Sequence, residues 1–269
     1  MIRELFHIGS LSISPFGVMM ALSFAASYML LRWGLRKLDI GDDDDASAIV
    51  IAGAVAGIAG AKIYYVLLYR DWHLLYDRSG FVWYGGFVLA TAAILWTVRR
   101  RKMPIWPTLD AASTALALGY AVGRIGCFLV GDDYGVPTDK PWGVRFPYGL
   151  PPTTAGALRS PPFNVDVPPN VPDDQLLAVH PTQLYETALA LAICAVGVWL
   201  LKRRASPGTT ALVVLALLSV ERFGIEFLRA KDDRFFGGLT VAQLISVAVV
   251  VVLATLWALR HRRAAPAAT

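Results

Sequence analysis

Several ionisable residues of this 269-residue chain lie within or directly beside long apolar stretches of the sequence. They are Lys62, Arg124, His180, Glu186, Glu221, Arg222, Glu226 and Arg229. A charged side chain at the centre of a membrane costs at least about 2.5 kcal/mol on insertion scales, so each one needs a partner or a function. Side chains of both signs at such positions can pair with one another or bind a charged ligand.

The segment SVERFGIEFLR carries charges of alternating sign at helical spacing. Arg222, Glu226 and Arg229 stand at positions i, i+4 and i+7, which lie on one face of an α-helix. This face is either an ion-pair network that only holds helices together or part of a binding site. Arg124 favours the binding site, because its carboxylate partners are shared with Arg222 and Arg229. The surplus of guanidinium groups suits a lipid phosphate.

The stretch GRIGCFLVGDDYG predicts the end of a helix at a membrane surface. Its glycines allow the backbone to bend, and backbone at membrane depth bends only where it lines a cavity or is buried in protein. Asp132 and Asp133 follow directly. They either begin a hydrated loop, or one of them orients an arginine or takes a proton.

The motif HPTQLYE places His180 at the start of a further apolar stretch. An isolated histidine at a helix start usually caps the helix or lies at the membrane interface. Here Gln183 and Glu186 follow on the next turns, so we predict that the three side chains belong to one polar cluster.

The composition indicates an integral membrane protein. The chain is 56% hydrophobic and 17% charged and has a mean hydropathy of +0.52, a balance that suits lipid better than water. The formal net charge is +5, but most lysines and arginines flank apolar runs. We therefore expect membrane lipid, and not nucleic acid, as the partner. Histidines and carboxylates do not cluster at ligand spacing, so we predict no metal site and no cofactor.

About seven windows are long and apolar enough to span a membrane as helices. They lie near 14–32, 47–68, 80–98, 108–130, 182–201, 209–228 and 239–259. Clusters of Lys and Arg follow the first, third, fifth and seventh windows, which predicts a cytoplasmic C-terminus and a periplasmic N-terminus. The fold class is therefore all-α, a polytopic membrane protein. The first residues lack the pattern of a cleaved signal peptide.

The chain is predicted to form a single transmembrane domain over 1–269. Its longest outer connection, 131–180, is rich in proline and has no periodic apolar face, which indicates a periplasmic loop or cap within that domain. The acidic run from Asp42 to Asp45 is interpreted as solvated surface with no special role.

Four blocks spread over most of the chain resemble the prolipoprotein diacylglyceryl transferase family of the bacterial inner membrane. They are AGAKIYYVLLY, GRIGCFLVGDDYGVPTDKPWGVRFP, HPTQLYE and RFGIEFLR. In the central block the residues that match the family pattern are Gly123, Arg124, Gly126, Phe128 and Gly135. The residues that depart from it, here or in neighbouring blocks, are Lys62, Tyr84, Cys127, Val130 and Asp132, so the chain is a divergent member.

The resemblance implies transfer of the diacylglyceryl group of phosphatidylglycerol to the thiol of a lipobox cysteine in a prolipoprotein signal peptide. Glycerol phosphate would leave, and Arg124 and Arg222 match the family positions expected to stabilise its charge. Glu226 would orient Arg222, and Glu186 a second polar group. Arg229, Gly135 and Gln183 complete the implied substrate-binding set.

The resemblance leaves open which group removes the proton from the thiol. The family has a histidine where this chain has Tyr84, and a phenol with a reference pKa near 10 is a poor base at neutral pH. His180 and Asp132 are the candidates, or the arginines alone lower the pKa of the thiol. Two other interpretations remain open: a divergent paralogue with another acceptor or little activity, and a seven-helix transporter or receptor.

Overall fold

The computed structural model describes residues 6–8, 11–76, 83–231 and 234–264, which are mostly helical. Its helices are α1 (Pro15–Leu38), α2 (Asp43–Tyr69), α3 (Trp83–Arg100), α4 (Ile105–Val130), α5 (Ala155–Arg159), α6 (Thr182–Lys202), α7 (Thr209–Ile225) and α8 (Val241–Ala264). Single 3-10 turns cover Trp72–Leu75 and Glu226–Leu228. Two short antiparallel hairpins pair β1 (Phe6–Ile8) with β2 (Leu11–Ile13) and β3 (Arg234–Phe236) with β4 (Leu239–Thr240).

Each of the seven apolar windows overlaps one of the seven long helices. Within the described residues, α1, α2, α4, α6 and α8 are long and apolar enough to cross a membrane. Helices α3 and α7 are shorter, with 18 and 17 residues. The prediction of a mostly helical, multi-pass membrane protein is confirmed; the number of seven spans and the orientation of the termini stay predictions.

Helix α4 lies at the centre of the molecule and packs against α1, α6 and α7. One apolar cluster joins α4 to α6 and α7 through Ala117, Ile193, Cys194 and Val214. Large apolar side chains on the outer helix surfaces, such as Val55 of α2, remain exposed, as contact with lipid requires. Central position and burial make α4 the helix best placed to hold polar side chains away from lipid.

Helices α2 and α3 approach one another at two glycines. A Cβ atom built on Gly60 would lie 2.4 Å from the carbonyl oxygen of Gly85, which no side chain could tolerate. The glycine spacing of the second span therefore serves close helix packing, as small residues do in membranes.

The acidic run at the start of α2 has a structural role, so its interpretation as inert solvated surface was wrong. Asp42 and Asp45 form a reciprocal capping box at the start of α2. Asp43 also accepts ion pairs from Arg32 and Arg36, while Asp45 pairs with Arg101. The run thus links the first helical turn of α2 to the ends of α1 and α3.

At the opposite end of α4 from Arg124, Asp110 holds the start of α7. Its two carboxylate oxygens accept the backbone N–H groups of Gly208, at 2.6 Å, and Ala211, at 2.7 Å. Asp110 is 3% exposed. A carboxylate at a helix N-terminus satisfies orphan donors and interacts favourably with the helix dipole.

The proline-rich segment 131–180 folds around an apolar cluster of its own. Tyr134, Phe146, Leu158 and Val179 are almost completely buried there, together with Ala230 from the chain after α7. Backbone pairing at Val144 and Val179 connects the early and late parts of the segment. The segment is therefore a packed structure that joins α4, α6 and the end of α7.

The helical face predicted for SVERFGIEFLR does not extend over its full length. Helix α7 ends at Ile225, a 3-10 turn follows, and Arg229 has an extended backbone with φ −74° and ψ 137°. Arg222 and Glu226 keep the expected i, i+4 ion pair. Arg229 leaves that face and turns towards the segment after α4 instead.

Candidate functional site

Arg124, near the end of α4, is the centre of a buried charge cluster. Its Nη2 donates to Oε1 of Glu186 at 2.5 Å, and its Nη1 donates to Oδ2 of Asp133 at 2.8 Å. The same Nη1 lies 3.7 Å from the sulfur of Cys127. The side chain of Arg124 is only 10% exposed, so most of its donors already have protein partners. We call Tyr120, Arg124, Asp133, Glu186 and Arg229 the Arg124 cluster.

Tyr120 belongs to this cluster although sequence reasoning missed it. Its hydroxyl donates to Oε1 of Glu186 at 2.8 Å and lies 3.4 Å from Nε of Arg124. Its ring also lies beside the guanidinium, with the carbon Cζ of Arg124 5.4 Å from the ring centroid. Its place one helical turn before Arg124 was the signal that could have identified it.

Asp133 connects Arg124 to Arg229. The backbone of Asp133 is left-handed, with φ 59°, a conformation that aspartate tolerates better than most residues. Burial opposes ionisation of this carboxyl, but Arg229 and Arg124 outweigh it and lower its pKa to about 2. Asp133 is therefore ionised at neutral pH and orients both arginines.

Asp132 is in a different environment from its neighbour. Burial, reinforced by the charge of Asp133, raises the pKa of Asp132 to about 6. Its Oδ1 is buried and has no hydrogen-bond partner among the described residues. The side-chain amide of Gln183 instead donates to the backbone carbonyl of Asp132 at 2.5 Å, which makes Gln183 a support for the backbone at this point.

Gly135 and His180 fix the two ends of the proline-rich segment against each other. The backbone N–H of Gly135 donates to the carbonyl of His180 at 2.8 Å. A Cβ atom on Gly135 would lie 2.5 Å from the carbonyl oxygen of Leu228, so only glycine fits. The imidazole of His180 is half-buried, and its Nδ1 lies 3.1 Å from the hydroxyl of Tyr185.

Arg222 and Glu226 form a second charged pair at the end of α7. The side chain of Glu226 is 2% exposed, whereas that of Arg222 is 30% exposed. Glu221, the residue before Arg222, is also buried, at 8% exposure. Glu221 interacts electrostatically with Arg124, Glu186 and Arg222, so it lies between the second pair and the Arg124 cluster.

The structure thus brings most of the sequence-predicted residues to one region. Arg124, Glu186, Asp133 and Arg229 are joined by direct ion pairs. The backbone of Asp132, the amide of Gln183, Gly135 and His180 surround the same turn after α4. Arg222 and Glu226 form a separate ion pair. Tyr84 lies in the first turn of α3, but its side chain is outside the part of the chain described.

One group of residues has the geometry of a metal site. Ligand atoms of Cys127, Asp132 and Asp133 lie within 4.8 Å of one another. Asp133 already pairs with Arg124 and Arg229, and two adjacent guanidinium groups oppose the approach of a cation. These residues therefore fit the binding of a guanidinium group better than that of a metal ion.

A pocket of about 460 Å³ opens beside the cluster. It is lined by the charged side chains of Asp133 and Arg229 and by Tyr134, Pro161 and Phe163 of the proline-rich segment. A lining that combines charged and apolar side chains suits a ligand with a charged head and an apolar body.

The profile of a known family, described as prolipoprotein diacylglyceryl transferase, matches residues 3–259 of this chain. Three similar proteins bear the name phosphatidylglycerol–prolipoprotein diacylglyceryl transferase. The protein from Synechococcus elongatus is 30% identical over 97% of this chain and 89% of its own length. That from Paraburkholderia phymatum is 31% identical over 97% and 95%. That from Clostridium botulinum is 29% identical over 92% and 94%.

These matches extend over nearly the whole chain, including all four sequence blocks and the helices that carry the Arg124 cluster. The chain belongs to the prolipoprotein diacylglyceryl transferase family, as the resemblance of the four blocks predicted.

Proposed function

We propose that this chain transfers the diacylglyceryl group of phosphatidylglycerol to the thiol of a lipobox cysteine in prolipoprotein signal peptides. Family membership and the names of the relatives confirm the predicted enzyme class, a diacylglyceryl transferase. These names do not specify the lipobox cysteine as the acceptor, and we propose that it is. The family match argues against the transporter or receptor interpretation, because the family and the named relatives are described as transferases.

We place the enzyme in the bacterial inner membrane with seven spans, a periplasmic N-terminus and a cytoplasmic C-terminus. Basic residues near the ends of α1, α3, α6 and α8 support this orientation, because short positive loops remain cytoplasmic. The segment 131–180 and the Arg124 cluster then lie at the periplasmic side. A secreted substrate would reach them there, with 131–180 as a cap within a single domain.

Arg222 is the residue that we assign to the phosphate. Arg124 is 10% exposed and donates to Glu186, Asp133 and Cys127, so few of its donors remain for a ligand. Arg222 is 30% exposed, and Glu226 is its ion-pair partner among the described residues. A guanidinium group has five N–H donors in a fixed fork. Arg222 can therefore keep Glu226 and still donate to a phosphate oxygen.

Arg124 supports binding of the phosphate mainly through its charge, and at most one of its donors contacts the phosphate. Its fixed positive charge in a low-dielectric site favours an anionic head group nearby. Glu186, Tyr120 and Asp133 hold the guanidinium in place, so no reorganisation is needed when the substrate arrives. Arg229 provides a further cation on the other side of Asp133.

The transfer breaks the bond between the glyceryl carbon and the phosphate oxygen of phosphatidylglycerol. The thiolate sulfur attacks that carbon, a carbon–sulfur bond forms, and the bonding electron pair leaves with the oxygen of glycerol phosphate. Negative charge on the departing phosphate rises as this bond breaks. Preorganised arginines stabilise that increase more than they stabilise the bound lipid, which is the condition for catalysis.

The test combines purified protein with phosphatidylglycerol vesicles and a lipobox peptide, and mass spectrometry then detects the diacylglyceryl peptide and glycerol phosphate. Both products should form, and both should disappear when the peptide cysteine is replaced by serine. Arg222→Ala should abolish transfer while the protein stays folded. Wild-type rates in a folded Arg222→Ala variant would exclude the phosphate role of Arg222.

A divergent paralogue with another acceptor is the second outcome of this test. Cys127, Val130 and Tyr84 stand at positions where the family pattern has other residues, which is the specific reason to consider it. In that case phosphatidylglycerol would bind to the protein, but neither product would form with the lipobox peptide.

A further inference from the structure

The proposed transfer requires a group that takes the proton of the acceptor thiol. A free cysteine has a reference pKa of about 8.5, so only a small fraction is thiolate at neutral pH. The thiolate is the nucleophile. The following inference rests on the proposed function, and it concerns a residue that neither the sequence resemblance nor the ion pairs assign to a role.

Glu221 is a buried carboxyl group whose hydrogen bonds are incomplete. The residue is 8% exposed, and its Oε1 is buried without a hydrogen-bond partner among the described residues. Most buried polar atoms in proteins have a partner, so an unpartnered one calls for an explanation. A carboxylate oxygen in this condition can accept a proton without giving up an existing bond.

The charges around Glu221 come from three helices. Arg124 and Tyr120 face it from α4, Glu186 faces it from α6, and Arg222 is its neighbour on α7. Helix α8 also packs against α7 and has no charged residue before Arg260. Glu221 therefore interacts with both arginines that the proposed function assigns to the head group.

The two bases considered from the sequence are less well placed. Asp132 interacts with Arg124 and Arg229 but stands beside Cys127 and Asp133 in the turn after α4. His180 has its Nδ1 directed to the hydroxyl of Tyr185, and its backbone belongs to the pairing with Gly135 and Val136. Glu221, by contrast, directly precedes Arg222 and interacts with it electrostatically.

We propose that Glu221 is the general base that accepts the proton of the acceptor thiol. The S–H proton moves to the carboxylate of Glu221, and the resulting thiolate attacks the glyceryl carbon. The carbon–oxygen bond breaks, and glycerol phosphate leaves with the electron pair beside Arg222. Glu221 then returns its proton to the phosphate or to water, which restores the carboxylate for the next cycle.

The experiment compares two acceptor peptides that differ only in the reacting atom, one with cysteine and one with selenocysteine. A selenol is more acidic than a thiol and is already ionised at neutral pH, so it needs no base. Glu221→Gln keeps the size of the side chain and removes its basicity. We expect this variant to lower kcat/KM for the cysteine peptide about 100-fold, the lower end for general base catalysis. The rate with the selenocysteine peptide should be nearly unchanged.

Arg222→Lys is the matched comparison, since it alters the adjacent residue and acts on the leaving group. It should lower the rates with both peptides by the same factor. An equal loss with both peptides in Glu221→Gln would show that Glu221 only supports the structure, and no loss with either would exclude any role in proton transfer.

A second measurement applies if Glu221→Gln does not fold. The wild-type profile of kcat/KM against pH with the cysteine peptide should rise with the ionisation of a carboxyl group, at a lower pH than the thiol ionises, and should then stay level through pH 8.5. If the cysteine profile instead follows only the ionisation of the thiol, near pH 8.5, the proposal is wrong. Failure of the proposed function is distinct from both outcomes, because the wild-type protein would then form no adduct with either peptide.

Discussion

The two ends of α4 each hold a buried charged residue, but the two residues are satisfied in opposite ways. Asp110 receives one backbone N–H on each carboxylate oxygen, and Arg260 also interacts with it electrostatically. Arg124 is held by the side chains of Glu186, Asp133 and Tyr120. Backbone donors satisfy Asp110 within the fold itself, whereas side chains from separate parts of the chain orient the guanidinium of Arg124.

The surroundings of Arg124 and Asp110 also differ in how many buried polar atoms have hydrogen-bond partners. Around the Arg124 end, buried oxygens of Asp132, Gln183, Glu186 and Glu221 have no hydrogen-bond partner among the described residues. The oxygens of Asp110 both have partners. A satisfied group stabilises the fold, while buried polar atoms without partners lower stability by about 1–3 kcal/mol each. Their concentration at one end of α4 supports the proposal that the substrate binds in this region.

The largest change in transfer rate between the two ends of α4 should come from removing the side chain of Arg124. Arg124→Ala should lower transfer about 100- to 1000-fold, the range for losing one preorganised donor at a developing negative charge. Tyr84→Phe should have a smaller effect, because a phenol is a poor base at neutral pH. Adduct formation per folded molecule, measured by mass spectrometry, compares the two.

Arg203→Ala is the control for Arg124→Ala, since Arg203 is exposed and stacks on Trp199 away from the cluster. Its transfer rate should equal that of the wild type. A loss in Tyr84→Phe as large as that in Arg124→Ala would mean that the phenol has a catalytic role.

At the other end of α4 the expected loss is one of stability. Asp110→Ala leaves two buried N–H groups at the start of α7 without partners, which should lower the free energy of unfolding by about 1–2 kcal/mol. Transfer per folded molecule should not change. Thermal unfolding in detergent measures the first quantity, and Asp174→Ala, at an exposed residue of the segment 131–180, is the control. A transfer defect in folded Asp110→Ala would contradict the separation of the two ends.

A smaller effect is expected where a cluster side chain contributes one hydrogen bond. Tyr120→Phe keeps the ring beside Arg124 and removes the hydroxyl that donates to Glu186. Loss of one such bond is worth about 1 kcal/mol, so kcat should decrease roughly fivefold. Tyr148→Phe, at a residue 59% exposed, should leave the rate unchanged. A rise in KM without a change in kcat would instead assign Tyr120 to lipid binding.

The smallest effect concerns Asp132 and is a dependence on pH. Its pKa is raised to about 6 by burial and by Asp133, so the folded protein holds this proton more tightly than the unfolded chain does. The stability contributed by protonated Asp132 is therefore lost as pH rises from about 4 through 6. Asp132→Asn should raise the melting temperature relative to wild type at neutral pH and should not raise it at about pH 4. An equal rise in melting temperature at both pH values would contradict the raised pKa of Asp132.

Much of the fold could be predicted because apolar length and helical spacing are properties of the sequence itself. All seven apolar windows overlap long helices among the described residues, and α6 begins at Thr182, the first residue of its predicted window. The i, i+4 pair of Arg222 and Glu226 followed from the same periodicity. Local rules are sufficient for such features, since neighbouring residues decide them.

Other contacts could not be predicted because they join residues far apart in the chain. Arg229 leaves the helical face when α7 ends at Ile225 and then pairs with Asp133, 96 residues away. Nothing near Arg124 in the sequence identifies Glu186 as its partner, although both were recognised as candidates. Asp42 to Asp45 looked like solvated surface, since the sequence does not show that Arg32, Arg36 and Arg101 come close to them.

The ion pairs between the end of α1 and the start of α2 have a consequence for the insertion of the protein into the membrane. Topology is set during insertion by unpaired lysines and arginines in short loops, and acidic residues contribute little to that signal. In the orientation that we propose, Arg32 and Arg36 act first as determinants of topology, while the chain enters the membrane. Once α1 and α2 are inserted, the single carboxylate of Asp43 pairs with both of these side chains. The same residues then hold α1 and α2 together through their ion pairs with Asp43.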